Sequence, residues 1–351
     1  MGDFETLIGL VSQYSPSGQE RNAVEWLVAR MRSLRYDQVF IDEAGNAIGV
    51  MGTGPKQVVL LGHIDTVPGE IPVRRNGIPP YEVLTGRGSV DAKGPLACFT
   101  DAVAKIGAVE GWQFIVIGAV DEERNSEGAR YAATQYKPDY AVIGEPSQWD
   151  RIALGYKGSA WAYVTVKCGQ MHSASGQRTA AEAAIEIWLK IKTYVDSFNV
   201  NKQKVFDQLL LTLRGMDSGS NGFEQWARLN VGVRLPLNVS PAGWYDILAE
   251  IASGAIVEPI GYAIPSRVCD KNTRLVRAFL SGIRSRGGEP RFVYKTGTSD
   301  LNIVTPVWNC PALVYGPGDS SLDHTPNEHI LLDEYKRSLK VLYNALNALV
   351  N

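Results

Sequence analysis

Apolar residues are arranged along this chain in two alternating styles. ERNAVEWLVARMRSL repeats them at three- and four-residue spacing, the period of one helix face. QVVLLGHID, WQFIVIGAVDE and YAVIGEP are short, nearly continuous apolar runs, as strands buried on both faces are. Between them, PLACFTDAVAKIGA opens on a proline, tolerated in the first turn of a helix, and reads as a crossover helix. This alternation over residues 1–155 predicts an α/β domain: an open, mostly parallel sheet with helices on both sides.

The style changes near Gly155. GSAWAYVTVKCG alternates apolar and polar residues, the mark of a half-exposed strand. AAEAAIEIWLKIKTYVDSF is a long helix, QLLLTLRGM and QWARLNVGVRLPL are alternating strands, YDILAEIASG is a second helix and IVEPIGYAIP a last strand. The resulting β-α-β-β-α-β order predicts a small α+β, ferredoxin-like layer. After Arg267 the first style returns, with the helix NTRLVRAFLSGIRSRG, the strand PALVYGPG and the closing helix DEYKRSLKVLYNALNALV. Residues 156–267 are therefore expected to be a domain inserted into a domain made of 1–155 and 268–351.

Composition narrows the function classes. At 351 residues the chain has room for about two domains of roughly 150 residues. A net charge of −2 offers no broad basic surface for nucleic acid or acidic lipid. No apolar run approaches the ~20 residues of a membrane span, and MGDFETLIGL lacks the basic start and apolar core of a signal peptide. Cys98, Cys168, Cys269 and Cys310 form no CxxC pair and read as reduced, buried thiols of a cytoplasmic protein.

The chemistry-bearing residues lie where apolar runs stop. His63 and Asp65 follow VVLLG, Asp121, Glu122 and Glu123 follow WQFIVIGAV, Glu145 follows YAVIG, and His324 follows PALVYGPGDSSLD. Asp91 stands in GRGSVDAKGP, just ahead of a helix. Ligands of open α/β sheets bind at the carboxyl ends of the strands, so all of these fall on one rim. Carboxylates crowded there repel unless cations neutralise them. Histidine with Asp and Glu, and no cysteine, suits zinc or cobalt in a catalytic site. There are more ligands than one tetrahedral ion with an open position needs; two ions about 3.5–4 Å apart would use them. The chain contains no G-x-S-x-G elbow and no G-x-x-x-x-G-K-[ST] loop.

GHIDTVPG, GRGSVDAKGP, DEE, GEPS and DHTPNE, in this order and spacing, resemble the metal-site motifs of the co-catalytic di-zinc metallopeptidases, the aminoacylase, carboxypeptidase and succinyl-diaminopimelate desuccinylase group. The resemblance covers essentially the whole chain, with its inserted lid and dimerisation domain. It implies that His63, Asp91 and Glu145 hold one zinc and that Asp91, Glu123 and His324 hold the other, Asp91 bridging. It implies that Asp65 hydrogen-bonds the free ring nitrogen of His63, and that Glu122 is the general base. His172, in GQMHSASG, would reach across a homodimer to polarise the scissile carbonyl. Arg234 would grip a substrate carboxylate, and Lys295, Gly297, Thr298 and Ser299 of KTGTSD would line the pocket.

Within the group, GRGSVDAKGP, YAVIGEPS followed by LGYKG, FDQ, KTGTSD and YGPGDSSLDHTP resemble the branch that releases lysine or ornithine from the C-terminal glutamate of a small acidic amino-group carrier protein, in lysine and arginine biosynthesis. One departure is the loop ERNSEGAR, a residue shorter than the branch leads one to expect and without a proline. Deacetylation of acetylornithine or acetyllysine, succinyl-diaminopimelate desuccinylation, and an inactive metal-binding regulatory relative are the alternatives. The presence of Glu122 argues against the last.

Overall fold

The computed structural model describes residues 4–351, so the first three residues of the amphipathic start lie outside the described residues. The chain divides into two compact units. One comprises the described residues up to Gly155 with Cys269–Tyr294 and Ser299–Asn351; the other comprises Tyr156–Val268 and Lys295–Thr298.

The first unit is built on a mostly parallel sheet. Its strands follow the spatial order Gln38–Ile41, Ala47–Met51, Trp112–Ala119, Lys56–His63, Tyr140–Gly144, Ala312–Val314 and Arg151–Tyr156. Lys56–His63 pairs in parallel with Trp112–Ala119 on one side and Tyr140–Gly144 on the other, and Ala312–Val314 continues in parallel. The apolar runs are continuous because both faces are covered. Val58, Leu60, Phe114, Val116 and Val142 pack into one core with Leu27, Phe99, Phe279 and Leu342 from the helices. The flanking strands Ala47–Met51 and Arg151–Tyr156 are antiparallel to their neighbours.

A row of glycines decides how close one helix comes. Gly62 is in register with Gly118 and with Gly144 on the strands either side. A Cβ at Gly144 would stand 2.8 Å from the Phe99 ring, and one at Gly118 3.3 Å from Leu96. Both partners belong to the helix Lys93–Ile106. Without side chains in that row the helix settles against the sheet, and its N-terminal end carries Asp91 to the strand ends.

A second, three-stranded antiparallel sheet of Arg74–Asn76, Val83–Thr85 and His329–Leu331 does the same for the segment that carries His324. His329 pairs with Thr85, so the chain just before His329 runs beside the chain just after Thr85. The periodicity of the sequence did not announce these strands: each is three residues long, too short for alternation to register.

The second unit is a four-stranded antiparallel sheet, with Gly158–Gly169 and Glu224–Leu235 in the middle and Leu210–Ser220 and Ile256–Ile264 at the edges. Alternation follows from one covered face. Ala160, Ala162, Val164 and Val166 are buried with Ile187, Ile191 and Leu248 of the helices Ala180–Asn199 and Pro241–Ile251. Trp161 and Tyr163 point the other way and carry Arg214 and Arg228 over their rings, at 4.4 and 5.1 Å. The long helix starts where Thr179 and Glu182 form a reciprocal capping box.

No helix among the described residues is long and apolar enough to cross a membrane. The cysteines are free, but only Cys98 is buried; Cys168, Cys269 and Cys310 keep part of their surface, against the expectation of four buried thiols. Each of those three stands near a strand end or in a connecting loop.

Candidate metal centre

Three parallel strands deliver their last residues to one place. His63 ends Lys56–His63, Glu145 follows Tyr140–Gly144, and Glu122 and Glu123 follow Trp112–Ala119 through a turn at Asp121. Asp121 has φ +66°, and its carboxylate accepts from the backbone N–H of Asn125 at 3.2 Å and from Arg124 at 2.7 Å. Its charge is thus used within the turn, which separates it from the two glutamates beside it.

Asp91 is the hub. Its Oδ1 lies 3.1 Å from Nε2 of His63 and its Oδ2 3.1 Å from Nε2 of His324. His324 Nε2 is also 3.0 Å from Glu123 Oε1. His324 reaches this position from a loop in which its own φ is +61°, a left-handed conformation seldom taken by residues other than glycine. The donor atoms fall into overlapping groups whose members all lie within 4.8 Å of one another: His63–Asp91–Glu145, Asp91–Glu123–His324 and His63–Glu122–Glu123.

Behind these groups Asp65, fully buried, organises the backbone. Its carboxylate accepts from the backbone N–H of Glu122 and of Glu123, each at 3.1 Å, and from the hydroxyl of Ser17 at 2.6 Å. The nearest oxygen to His63 Nδ1 is the carbonyl of Asp65 at 3.0 Å; the carboxylate Oδ1 is 3.4 Å away. The expected bond from the Asp65 side chain to His63 is therefore the longer of two contacts. Either oxygen takes the proton of Nδ1, which leaves Nε2 of the neutral ring as the bare lone pair facing Asp91.

The electrostatics describe a site short of positive charge. Burial pushes Glu145 well above the ordinary carboxylate range, with Asp91 and Asp300 adding to the rise against the pull of His63. Burial raises Glu122 in the same way, and the charges of Glu145, Asp300 and Glu123 add to it. Asp300, buried at the start of the helix Asp300–Trp308, is pushed up to about 7, mainly by burial. Burial opposes a charge on His63, but its bonds to Asp65 and Asp91 outweigh that and its pKa is raised. His324 is raised to about 10 by its bonds to Asp91 and Glu123. Asp91, between two rings, is lowered despite its burial. Protons are thus retained exactly where divalent cations would remove the need for them. Two imidazole nitrogens and four carboxylates within ligand reach, without a thiolate, fit borderline or hard divalent ions.

The remaining expected residues belong to the second unit, except Ser299. Arg234 donates from Nη1 to the Thr298 hydroxyl at 3.0 Å, so these two meet. Lys295 accepts a backbone bond from Lys157 at 3.2 Å. His172 is exposed, and its Nδ1 accepts from the backbone N–H of Ala174 at 3.1 Å. That bond places the proton of the neutral ring on Nε2. Ser299 is buried as a helix cap, its hydroxyl accepting from Leu301 and its N–H donating to Asn302, so it shapes its loop from inside.

Sequence reasoning missed Ser17 and Asp300. Ser17 sits in SPSG, which signals only a turn. Asp300 directly follows KTGTS, and a buried acid at a helix start resembles an ordinary first-turn acid.

The profile of Peptidase family M20/M25/M40 matches residues 59–348. The LysW-lysine hydrolase of Deinococcus radiodurans is 42% identical over 347 residues, covering 97% of this chain and 95% of that protein. The LysW-lysine/LysW-ornithine hydrolase of Sulfurisphaera tokodaii is 30% identical over 358 residues, covering 98% and 95%. Among solved structures, an M20 family metallo-carboxypeptidase from Sulfolobus solfataricus superposes with a TM-score of 0.79 at 16% identity, covering 100% of this chain and 99% of that one.

Proposed function

Because the chain belongs to Peptidase family M20/M25/M40 and is a metallohydrolase acting on amide bonds, we propose that it releases lysine or ornithine from the C-terminal glutamate of a small acidic amino-group carrier protein. The carrier is the LysW of its named relatives, at 42% and 30% identity over nearly the full chain. The observation that carries the hydrolytic centre is Asp91, whose two oxygens each face a different histidine at 3.1 Å.

His63, Asp91 and Glu145 would hold one divalent ion, and Asp91, Glu123 and His324 a second. Zinc suits both sites, and cobalt can replace it. Bound there, the ions would polarise the amide carbonyl and raise the acidity of the attacking water. Glu122 lies outside these two groups, though it shares a third with His63 and Glu123, and in this reading takes the water's proton and returns it to the leaving amine. Asp65 fixes the backbone of Glu122 and Glu123 together, so base and ligand keep a constant offset.

The second unit serves in this reading as a ferredoxin-like lid and dimerisation domain. His172, whose neutral ring carries its proton on Nε2, donates to the oxyanion in the partner subunit's site. Arg234, oriented by Thr298, pairs with the free carboxylate of the released amino acid. Lys295 and Gly297 line the same pocket, and Ser299 holds the loop. The reaction takes place in the cytoplasm, where free cysteines stay reduced.

The test is mass spectrometry of the purified carrier conjugate before and after incubation with enzyme and zinc, beside N-acetylornithine, N-acetyllysine and succinyl-diaminopimelate. The expected product is the free carrier, its release abolished by chelation and restored by zinc or cobalt. Faster hydrolysis of an acetylated or succinylated amino acid would reassign the substrate.

A further inference from the structure

Glu328 closes the motif DHTPNE, four residues after His324. It is 1% exposed, and its nearest charged partner, Arg87, is 7% exposed. Burying such a pair is costly, and the attraction often only offsets the lost hydration, so its presence asks for a role beyond stability. The hydrogen bonds supply one. Oε1 of Glu328 accepts from the backbone N–H of Val90 at 2.9 Å and of Asp91 at 3.1 Å. Oε2 accepts from Arg87 at 2.8 Å. Arg87 also donates to the carbonyls of Gly69 at 2.9 Å and Thr325 at 3.2 Å. The carbonyl of Glu328 accepts from Gly86 N–H at 3.4 Å.

Three loops meet at this one pair: the loop leaving His63, the loop carrying Asp91 and the loop carrying His324. We propose that Glu328 is a positioning residue for the metal centre, a buried clamp that, with Arg87, fixes the backbone of the carboxylate shared by both ion sites. This rests on the two-ion reading above. The geometry explains the choice of side chain. Two adjacent N–H groups converge on one oxygen while a guanidinium requires the other, and only a carboxylate answers both with full charge complementarity. Because Asp91 belongs to both ligand groups, a shift of its backbone disturbs both ions at once. The side chains that hold a metal ligand in place typically contribute about 10–100-fold to affinity.

The full-length chain, stripped of metal and titrated with Co2+, tests the clamp through stoichiometry, affinity and the visible absorption of bound cobalt. Wild type binds two ions per chain. Glu328→Ala leaves the N–H groups of Val90 and Asp91 without their acceptor; both affinities fall about 10–100-fold and the cobalt spectrum changes. Glu328→Gln keeps an acceptor oxygen for those two groups and recovers most of the affinity. Tyr335→Phe is the control: it removes a part-buried 2.8 Å bond to Asp101 in the same unit, and lowers the melting temperature without moving cobalt affinity or spectrum. If Glu328→Ala does not fold, Arg87→Met, which takes the guanidinium from Oε2 and from the carbonyls of Gly69 and Thr325 but leaves the bonds to Val90 and Asp91, takes its place and weakens both ions by a smaller factor.

Two ions bound by wild type, with Glu328→Ala (or its replacement) unchanged in affinity and spectrum, overturn the clamp and leave the two-ion reading standing. So does equal weakening by Ala and Gln, which would make charge rather than the N–H acceptor the cause. Wild type that binds no cobalt overturns the two-ion reading, and the clamp with it.

Discussion

Glu122→Gln separates proton transfer from assembly of the site. The substitution keeps the length and shape of the side chain and removes its basicity and charge. Position 122 is anchored through its backbone, whose N–H donates to Asp65 at 3.1 Å, and the substitution leaves that bond in place. Neither of the two ligand groups built on Asp91 includes it. With metal content unchanged, the loss reads proton transfer: about 10²–10⁴ in rate, or about 2.7–5.4 kcal/mol at 1.36 kcal/mol per decade. Stability moves the other way. Burial raises the pKa of Glu122, against the pull of His63 and with the help of Glu145, Asp300 and Glu123. A raised carboxyl pKa means that folding favours the protonated form. Ionised Glu122 therefore subtracts from the stability of the metal-free chain once the pH exceeds the unfolded value. Metal-free Glu122→Gln should melt above metal-free wild type at pH 7.5, and the gap should close towards pH 4. Single-turnover hydrolysis of the carrier conjugate, metal analysis and thermal melts measure the three quantities. Near-normal turnover would refute the assignment of the base, and a rate loss that tracks lost metal would show a ligand instead.

The same sign applies to Glu145 and Asp300, but not to Asp91, whose pKa is lowered. Glu122 and Glu145 are raised well above 4.5 and Asp300 from 3.8 to about 7, so their contribution is complete below the unfolded values and is lost as pH rises. Metal-free protein should lose melting temperature between about pH 4.5 and 6.5, before the unfolded pKa of histidine, ~6.5, is reached; a rise over that window would contradict the charge balance. Arg234→Ala removes a charge-assisted contact of about 1.5–3 kcal/mol, so kcat/KM for the conjugate should fall about 10–100-fold with the fold intact by circular dichroism; unchanged kinetics would place the substrate carboxylate elsewhere. His172→Ala and Glu122→Ala chains, each inactive alone, should regain roughly a quarter of wild-type activity after subunit exchange, because half of the dimers are mixed and each holds one complete site of two; verified exchange without recovery would confine His172 to its own subunit.

His63, Glu122, Glu123 and Glu145 were legible from pattern alone because each follows the last residues of a buried parallel strand. That topology sends strand ends to one rim whatever the loops do. Asp91 and His324 were placed on the same rim by the same pattern, but no strand end fixes them directly. One precedes a helix, and the other lies ten residues beyond Val314, in a loop with a left-handed turn at His324 itself. The resemblance gave them roles; the structure supplies the physical reason they arrive. The aligned glycines 62, 118 and 144 let the helix behind Asp91 approach the sheet, and the pairing of His329 with Thr85 draws in the loop of His324. Neither device has a periodic signature, since a glycine row appears only once strands are in register. The contacts that escaped sequence reading share a further trait: Ser17 bonds to the Asp65 carboxylate, and Asp65 and Glu328 accept from backbone N–H groups far along the chain. A hydrogen bond between segments far apart in the chain carries no local pattern. Four of the candidate ligands follow from where strands end, and buried carboxylates bonded to main chain fix the loops around them.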